Sequence, residues 1–221
     1  MRVGICYYME DNKGKIVLVD SKNKIALASF ALSMEYGFDN VSIKQISEES
    51  GIAVGSIYYH FKDKDEILVY MVQMYLLDNF KEFKEAVDNF EGSFKEKIEF
   101  ILTYKTSSFI KDEEEVDLSP EQLFDYKKYF TLLTVVYHQS PESRPIFHEV
   151  GVDLYEFYID LVKDAVKKGE IRDDIEVEKI VVFIQSIFKG YIDLWVYQPH
   201  IPFKDLVDSN MTLVWEALKK R

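Results

Sequence analysis

The sequence predicts an all-α protein: a small N-terminal three-helix domain with a helix-turn-helix, followed by a larger helical domain. Three observations carry this. From Asp20 onward, apolar residues recur at helical rather than alternating spacing. Nine glycines and five prolines in 221 residues are too few for a turn-rich sandwich or barrel. The second and third helices are very short and joined through a glycine, as in a helix-turn-helix.

Residues 1–19 read as a leader, with Val17–Val19 a short extended piece and Met9 an alternative start. The first helix has Ile25, Ala28, Leu32 and Tyr36 on one stripe, widened by Leu27, Ala31 and Met34, and stops at Gly37. Ser42 followed three residues later by Gln45 is a capping box, so a second helix starts at Ile43; Gly51 ends it. Ser47 supplies a small side chain where two helices cross steeply. Gly51 supplies the positive φ of the turn. Ile46, Ile52 and Ile57 are spaced to share one core. A short helix fits Val54–His60, and Asp63 can cap a long one from Lys64 to Phe83.

Further helices are expected at Ser93–Ile110, Pro120–His138, Pro145–Lys168, Val177–Tyr197 and Phe203–Lys220. The breaks are the acidic run 111–119, Ser140-Pro141, Gly169 with Asp173-Asp174, and 198–202. The domains expected are 1–19 (leader), 20–66 (helix-turn-helix) and 67–221.

Cys6 is the single cysteine, so no intrachain disulfide forms. No window approaches 18 uninterrupted apolar residues, and the apolar patch at the start is too short for a signal-peptide core. A cytoplasmic protein with no membrane partner is expected. His60, His138, His148 and His200 form no helical metal pair, and there is no P-loop, G-x-S-x-G or G-x-G-x-x-G. These readings predict no enzyme, no cofactor and no metal.

A specific set of residues lies between Lys24 and Leu68. It comprises Ala28-Ser29-Phe30, Gly37-Phe38, Val41-Ser42-Ile43-Lys44-Gln45-Ile46-Ser47 and Gly51-Ile52. Gly55-Ser56-Ile57-Tyr58-Tyr59-His60-Phe61, Lys62-Asp63-Lys64 and Ile67-Leu68 complete it. This stretch resembles the DNA-binding domain of TetR-type transcriptional regulators. Three positions depart from the family pattern. Ala53 replaces a hydroxyl residue before the recognition helix, Val54 replaces a polar or basic one, and Ser33 stands where an aromatic is usual.

The resemblance implies a ligand-responsive, homodimeric repressor, released from a palindromic duplex operator by a small-molecule effector. Ser42 and Lys64, at two helix starts, would flank the recognition helix and hold phosphates, with Lys44 nearby. Tyr58 and His60 offer donors to phosphate. Gly55 lets the backbone approach closely. Val54, Ser56 and Tyr59 are left for base edges, Val54 being suited to a thymine methyl.

The net charge of −12 argues against a nucleic-acid partner. Residues 1–68, however, hold eight basic and ten acidic side chains, and the rest nineteen and twenty-nine. The acid load lies mostly outside the helix-turn-helix. Lys13, Lys15, Lys22, Lys24, Lys44, Lys62 and Lys64 must supply the phosphate charge, which predicts a shallow salt dependence. An alternative stays open on Ala53, Val54 and the acidity: an all-helical interaction module of the same fold that has lost specific DNA binding. A helical enzyme using an aromatic cavity is a third reading.

TetR-like proteins hold their effector in the second domain. Tyr104, Phe130, Tyr137, Phe147 and Tyr158 are expected to line a cavity there, with His138 as a polar group. Few lysines or arginines share those apolar faces, so an apolar, aromatic or weakly cationic effector is predicted over a strongly anionic one. Ile180, Ile184, Ile187, Tyr191, Trp195, Leu206, Leu213 and Trp215, on the last two helices, are predicted to form a two-fold dimer contact.

Overall fold

A computed structural model describes residues 8–10, 16–18, 20–104 and 126–220. Among them are nine α-helices and one hairpin. The hairpin pairs β1 (Tyr8–Glu10) with β2 (Ile16–Leu18) antiparallel, Tyr8 opposite Leu18. The leader thus holds a small sheet where the sequence suggested a single extended piece.

In α1 (Ser21–Tyr36), the Asp20 carboxylate accepts the Asn23 N–H at 2.8 Å and caps the first turn. Ile25, Ala26, Ala28 and Phe30 are buried along its length. Ser29 and Ser33 are buried on the same helix. Their hydroxyls donate back to the carbonyls of Ile25 and Ser29 at 2.7 and 2.6 Å, so no polar group is orphaned. This places Ser33 inside, while Tyr36, expected on the apolar stripe, is half exposed. Gly37 takes φ 76° and leads into a 3-10 turn at Phe38–Asn40.

The helix-turn-helix follows the capping signals closely. In α2 (Ile43–Ser50) the Ser42 hydroxyl accepts the Gln45 N–H at 3.2 Å, and the Gln45 carbonyl oxygen accepts the Ser42 N–H at 2.8 Å. Gly51 closes the helix with φ 70°. The Ser47 hydroxyl donates to the Ile52 carbonyl at 2.7 Å, so the small residue at the crossing also ties α2 to the turn. Then come α3 (Val54–His60) and α4 (Lys64–Asp88). Asp63 caps α4 by accepting the Glu66 N–H at 2.9 Å. Ile25, Ala28, Val41, Ile46, Ile57, Phe61 and Ile67 close the core, with Ile52 at its edge.

The remaining helices are α5 (Phe94–Thr103), α6 (Tyr126–Gln139), α7 (Arg144–Lys167), α8 (Val177–Tyr197) and α9 (Phe203–Leu218). The acidic run, and the expected helical residues 105–110 and 120–125, lie outside the described residues. The chain forms two compact units: Met1–Asp78 with Thr131–Phe147, and Asn79–Phe130 with His148–Arg221.

The second unit has its own core, centred on Ile98, Leu102, Val162, Ile180, Ile184 and Val214. The Tyr191 hydroxyl, buried within it, donates to the Leu102 carbonyl at 2.9 Å. Helix α8 is long and apolar enough to cross a membrane. Its Ile180, Val181, Ile184, Tyr191 and Trp195 instead enter this core.

That packing corrects the dimer reading at residue level. Ile180, Ile184, Tyr191, Trp195 and Leu206 fill the chain's own interior, and Ile187 and Trp215 pack against its margin. Of the eight residues expected at a dimer contact, Leu213 alone is strongly exposed. The apolar side chains that α8 leaves at the surface are Val182, Phe183, Leu194 and Tyr197, on a different stripe of the helix from those that pack inward.

Candidate nucleic-acid interface

A helix of seven residues has two turns with which to anchor itself. Helix α3 does so through Ile57, fully buried, and through Phe61 just beyond its end, 1% exposed. Everything else faces out. Val54 is 40% exposed, Tyr58 55% and Tyr59 85%; Gly55 and Ser56 are also exposed, and His60 is half-buried. Tyr58 is therefore a surface residue and not a core residue with a protruding hydroxyl. The Tyr59 and His60 rings meet edge-on at 5.3 Å. No side chain caps α3, as Ala53 leads one to expect.

The flanking helix starts differ from each other. At α2, Ser42 and Gln45 are engaged with one another, while Lys44 is 82% exposed and pairs loosely with Glu48 at 3.7 Å. Such an exposed pair contributes little and yields readily to a phosphate. At α4, the Lys64 ammonium donates to the Asp39 carbonyl at 3.0 Å and sits 4.5 Å above the Phe38 ring. Partial burial lowers its pKa, against the opposing pull of Asp39 and Asp65. Lys64 thus braces the 3-10 turn after α1. Sequence reasoning missed this, because the partner is 25 residues away and is a backbone oxygen. Lys22 lies 4.2 Å above the Tyr70 ring, whereas Lys62 is 88% exposed.

The residues expected to hold an effector fall in both units. In the second unit Tyr104 ends α5, edge-on to Phe83 at 5.4 Å and Phe100 at 5.7 Å. Burial first, then Glu82 and Glu85, push its hydroxyl up to about 12. Phe130 packs at the margin of the core. Tyr158 is buried, with its ring stacked on Phe188 at 5.6 Å.

In the first unit Tyr137 meets Phe147 edge-on at 5.5 Å, and His138 is exposed. Arg144 lies over Tyr137 and donates to the carbonyls of Tyr137 and His138, each at 3.0 Å. This cation closes the end of α6 and was not placed by sequence reasoning. A cavity of about 90 Å³ in the first unit is lined by Phe38, Leu68, Val135, Val136 and the carboxylates Asp39, Asp65 and Glu142, among others. None of the six effector candidates lines it.

A short exposed helix, set by a turn glycine against a capped helix and carried on a three-helix core, defines a helix-turn-helix protein with a larger helical domain. Residues 25–71 match the family described as bacterial regulatory proteins, tetR family. The matched stretch runs from within α1, through α2 and α3, into the first turns of α4.

An HTH-type transcriptional regulator of Staphylococcus aureus (strain bovine RF122 / ET3-1) is 29% identical over 90 residues, covering 39% of this chain and 49% of that protein. The chain spans about half the length of the curated relatives it matches. Among solved structures, a transcriptional regulator from Saccharomonospora viridis in complex with choline is 16% identical, with a TM-score of 0.72 over 91% of this chain and 98% of that one. The regulator FadR from Bacillus subtilis in complex with stearoyl-CoA is 18% identical, with a TM-score of 0.59 over 87% and 96%. At these identities the likeness shows the fold.

Proposed function

We propose that this protein is a homodimeric repressor that binds a palindromic duplex operator through α3 and is released by a small-molecule effector. The observation that carries the reading is the outward face of α3. Five of its seven residues are exposed while Ile57 and Phe61 hold it rigidly on a packed core. A helix so placed costs folding energy to expose and fits a major groove. In this reading Ser42, Lys44, Tyr58, His60 and Lys64 hold phosphates, Gly55 lets the backbone approach closely, and Val54, Ser56 and Tyr59 meet base edges. The DNA-binding part is residues 20–66. The second domain takes the effector and the two-fold contact, for which Val182, Phe183, Leu194 and Leu213 offer apolar surface.

An apolar, aromatic or weakly cationic effector fits the aromatic second unit. Phe83, Phe100, Tyr104 and Phe157 form a continuous edge-on array there. The choline of the Saccharomonospora complex is a cation of the kind such rings attract. A thermal-shift panel of aromatic, quaternary-ammonium and polycarboxylate compounds tests this. Stabilisation by polycarboxylate or phosphorylated compounds alone overturns it.

Selection of bound duplexes from a random library tests the central reading. An enriched inverted repeat is expected, with half-sites one helical turn of about 34–36 Å apart or a multiple of it. Recovery of no sequence-specific duplex at moderate salt would instead favour an interaction module of the same fold.

A further inference from the structure

Helix α3 is unusual in what it lacks. Between Ala53 and His60 there is no Arg, Lys, Asn, Gln, Asp or Glu. Those are the side chains that pair bidentately with guanine or adenine, or accept from cytosine, in the major groove. Gln45, the amide side chain of α2, is engaged with Ser42. What α3 offers is Val54, Ser56 and the ring of Tyr59. A serine hydroxyl serves any base, whereas an apolar side chain has one specific target there, the C5-methyl group of thymine. Lys44 and Lys62, at the two sides of α3 in sequence and both more than four-fifths exposed, supply the positive charge that a duplex partner requires.

Gly55 supports the same reading independently. Gly37 and Gly51 have positive φ and are required by the backbone, but Gly55 is helical and has none. A Cβ built on it meets nothing within 4 Å. The fold therefore gains nothing from glycine here and loses helix propensity by it. Gly55 and Tyr59, four residues apart, lie on one face of α3, the face turned away from Ile57. A missing side chain beside a fully exposed ring lets the helix backbone approach a partner.

We propose that this chain reads its operator chiefly through thymine C5-methyl groups, contacted by Val54 and Tyr59, with Gly55 left bare so that α3 can seat against the bases. This rests on the DNA-binding reading above. The occupant is a duplex major groove, and the half-site core is rich in thymine steps rather than guanine contacts.

The test uses the full-length protein and the duplex recovered from the random library, remade with deoxyuridine in place of thymidine. Deoxyuridine removes the methyl and leaves every hydrogen-bonding group. Each contacted methyl lost is expected to weaken binding roughly fourfold, by the transfer value of one buried carbon. Val54→Ala and Tyr59→Ala are each expected to abolish the uracil penalty at one particular thymine and leave it at the others. Gly55→Ala is expected to raise Tm by about 2 °C while weakening specific binding. Equal affinity for the thymidine and deoxyuridine operators overturns the proposal and leaves the DNA-binding reading standing. A uracil penalty unchanged by both Val54→Ala and Tyr59→Ala also overturns it, because the effect then comes from duplex stiffness. If no specific duplex is recovered at all, the DNA-binding reading falls, and this one with it.

Discussion

Tyrosine is used in opposite ways in the two units. In the second unit Tyr158 and Tyr191 are less than a tenth exposed, and the Tyr191 hydroxyl finds a backbone carbonyl. In the helix-turn-helix Tyr58 and Tyr59 stand on neighbouring positions and face solvent. The difference follows from helix length. A helix of 21 or 24 residues has a stripe long enough to bury several aromatics, whereas α3 has room for Ile57 alone. Exposed tyrosines on α3 are thus surface that the fold does not need. Tyr158 in α7 and Tyr191 in α8 are core.

The largest effect expected sharpens this contrast within one helix. Ile57→Ala should cost about 2–5 kcal/mol, the usual loss for a fully buried aliphatic cut to alanine. Tyr59→Ala, two residues away, should stay within about 0.5 kcal/mol of the parent, as surface changes do. Urea denaturation of the two variants measures both. A comparable loss for Tyr59→Ala would mean that the outer face of α3 is part of the fold and not free for a partner.

The second unit responds to alkali for the opposite reason. Burial, and for Tyr158 the nearby Tyr191, raise both phenols above the ordinary value of 10.0, and Tyr104 rises to about 12. The unfolded chain gives up these protons near pH 10 while the folded chain keeps them. The stability from the neutral phenols is therefore complete below pH 10 and is lost as pH climbs from there. Thermal melts across pH 8–11.5 should be flat to about pH 10 and then fall, and Tyr158→Phe should soften the fall. Tyr191→Phe should also cost about 0.5–1.5 kcal/mol at neutral pH, the value of one ordinary hydrogen bond, here the one to the Leu102 carbonyl. Tyr58→Phe removes an equivalent hydroxyl at the surface and should be silent in the same assay.

The features legible from sequence were those whose partners are near in the chain. The Ser42–Gln45 capping box, the Gly51 turn, the Asp63 cap and the boundaries of α3 and α8 each depend on residues within four or five positions. Their physics is local and survives without a structure. What resisted was orientation. The periodic stripe of α8 and α9 correctly announces apolar helices, but a stripe does not say which residues are used up inside. Trp195 and Tyr191 went to the core, and Val182 and Leu194 to the surface. The aromatics of 100–158 resisted for a related reason, since Tyr137 and Tyr158 belong to different units although both lie on helices of similar pattern. Arg144 was missed because its partners are backbone carbonyls, which no side-chain motif reports.

Lys64 offers the smallest effect and the finest test of that division between fold and surface. Its ammonium has three protons, one of which goes to the Asp39 carbonyl, and its stem covers Phe38. Lys64→Met keeps the stem and removes the charge and the bond. The fold should lose about 0.5–1.5 kcal/mol, the value of one ordinary hydrogen bond. If the remaining protons also meet a phosphate, affinity should fall evenly across operator sequences, and the salt slope should drop by about one. That is the outcome expected from a lysine at the start of α4. A lower melting temperature with an unchanged salt slope would instead leave Lys64 as a brace for the turn at Phe38–Asn40 and nothing more. The phosphate charge would then come from Lys44 and Lys62, whose replacement by methionine should each lower the slope while leaving the melt in place.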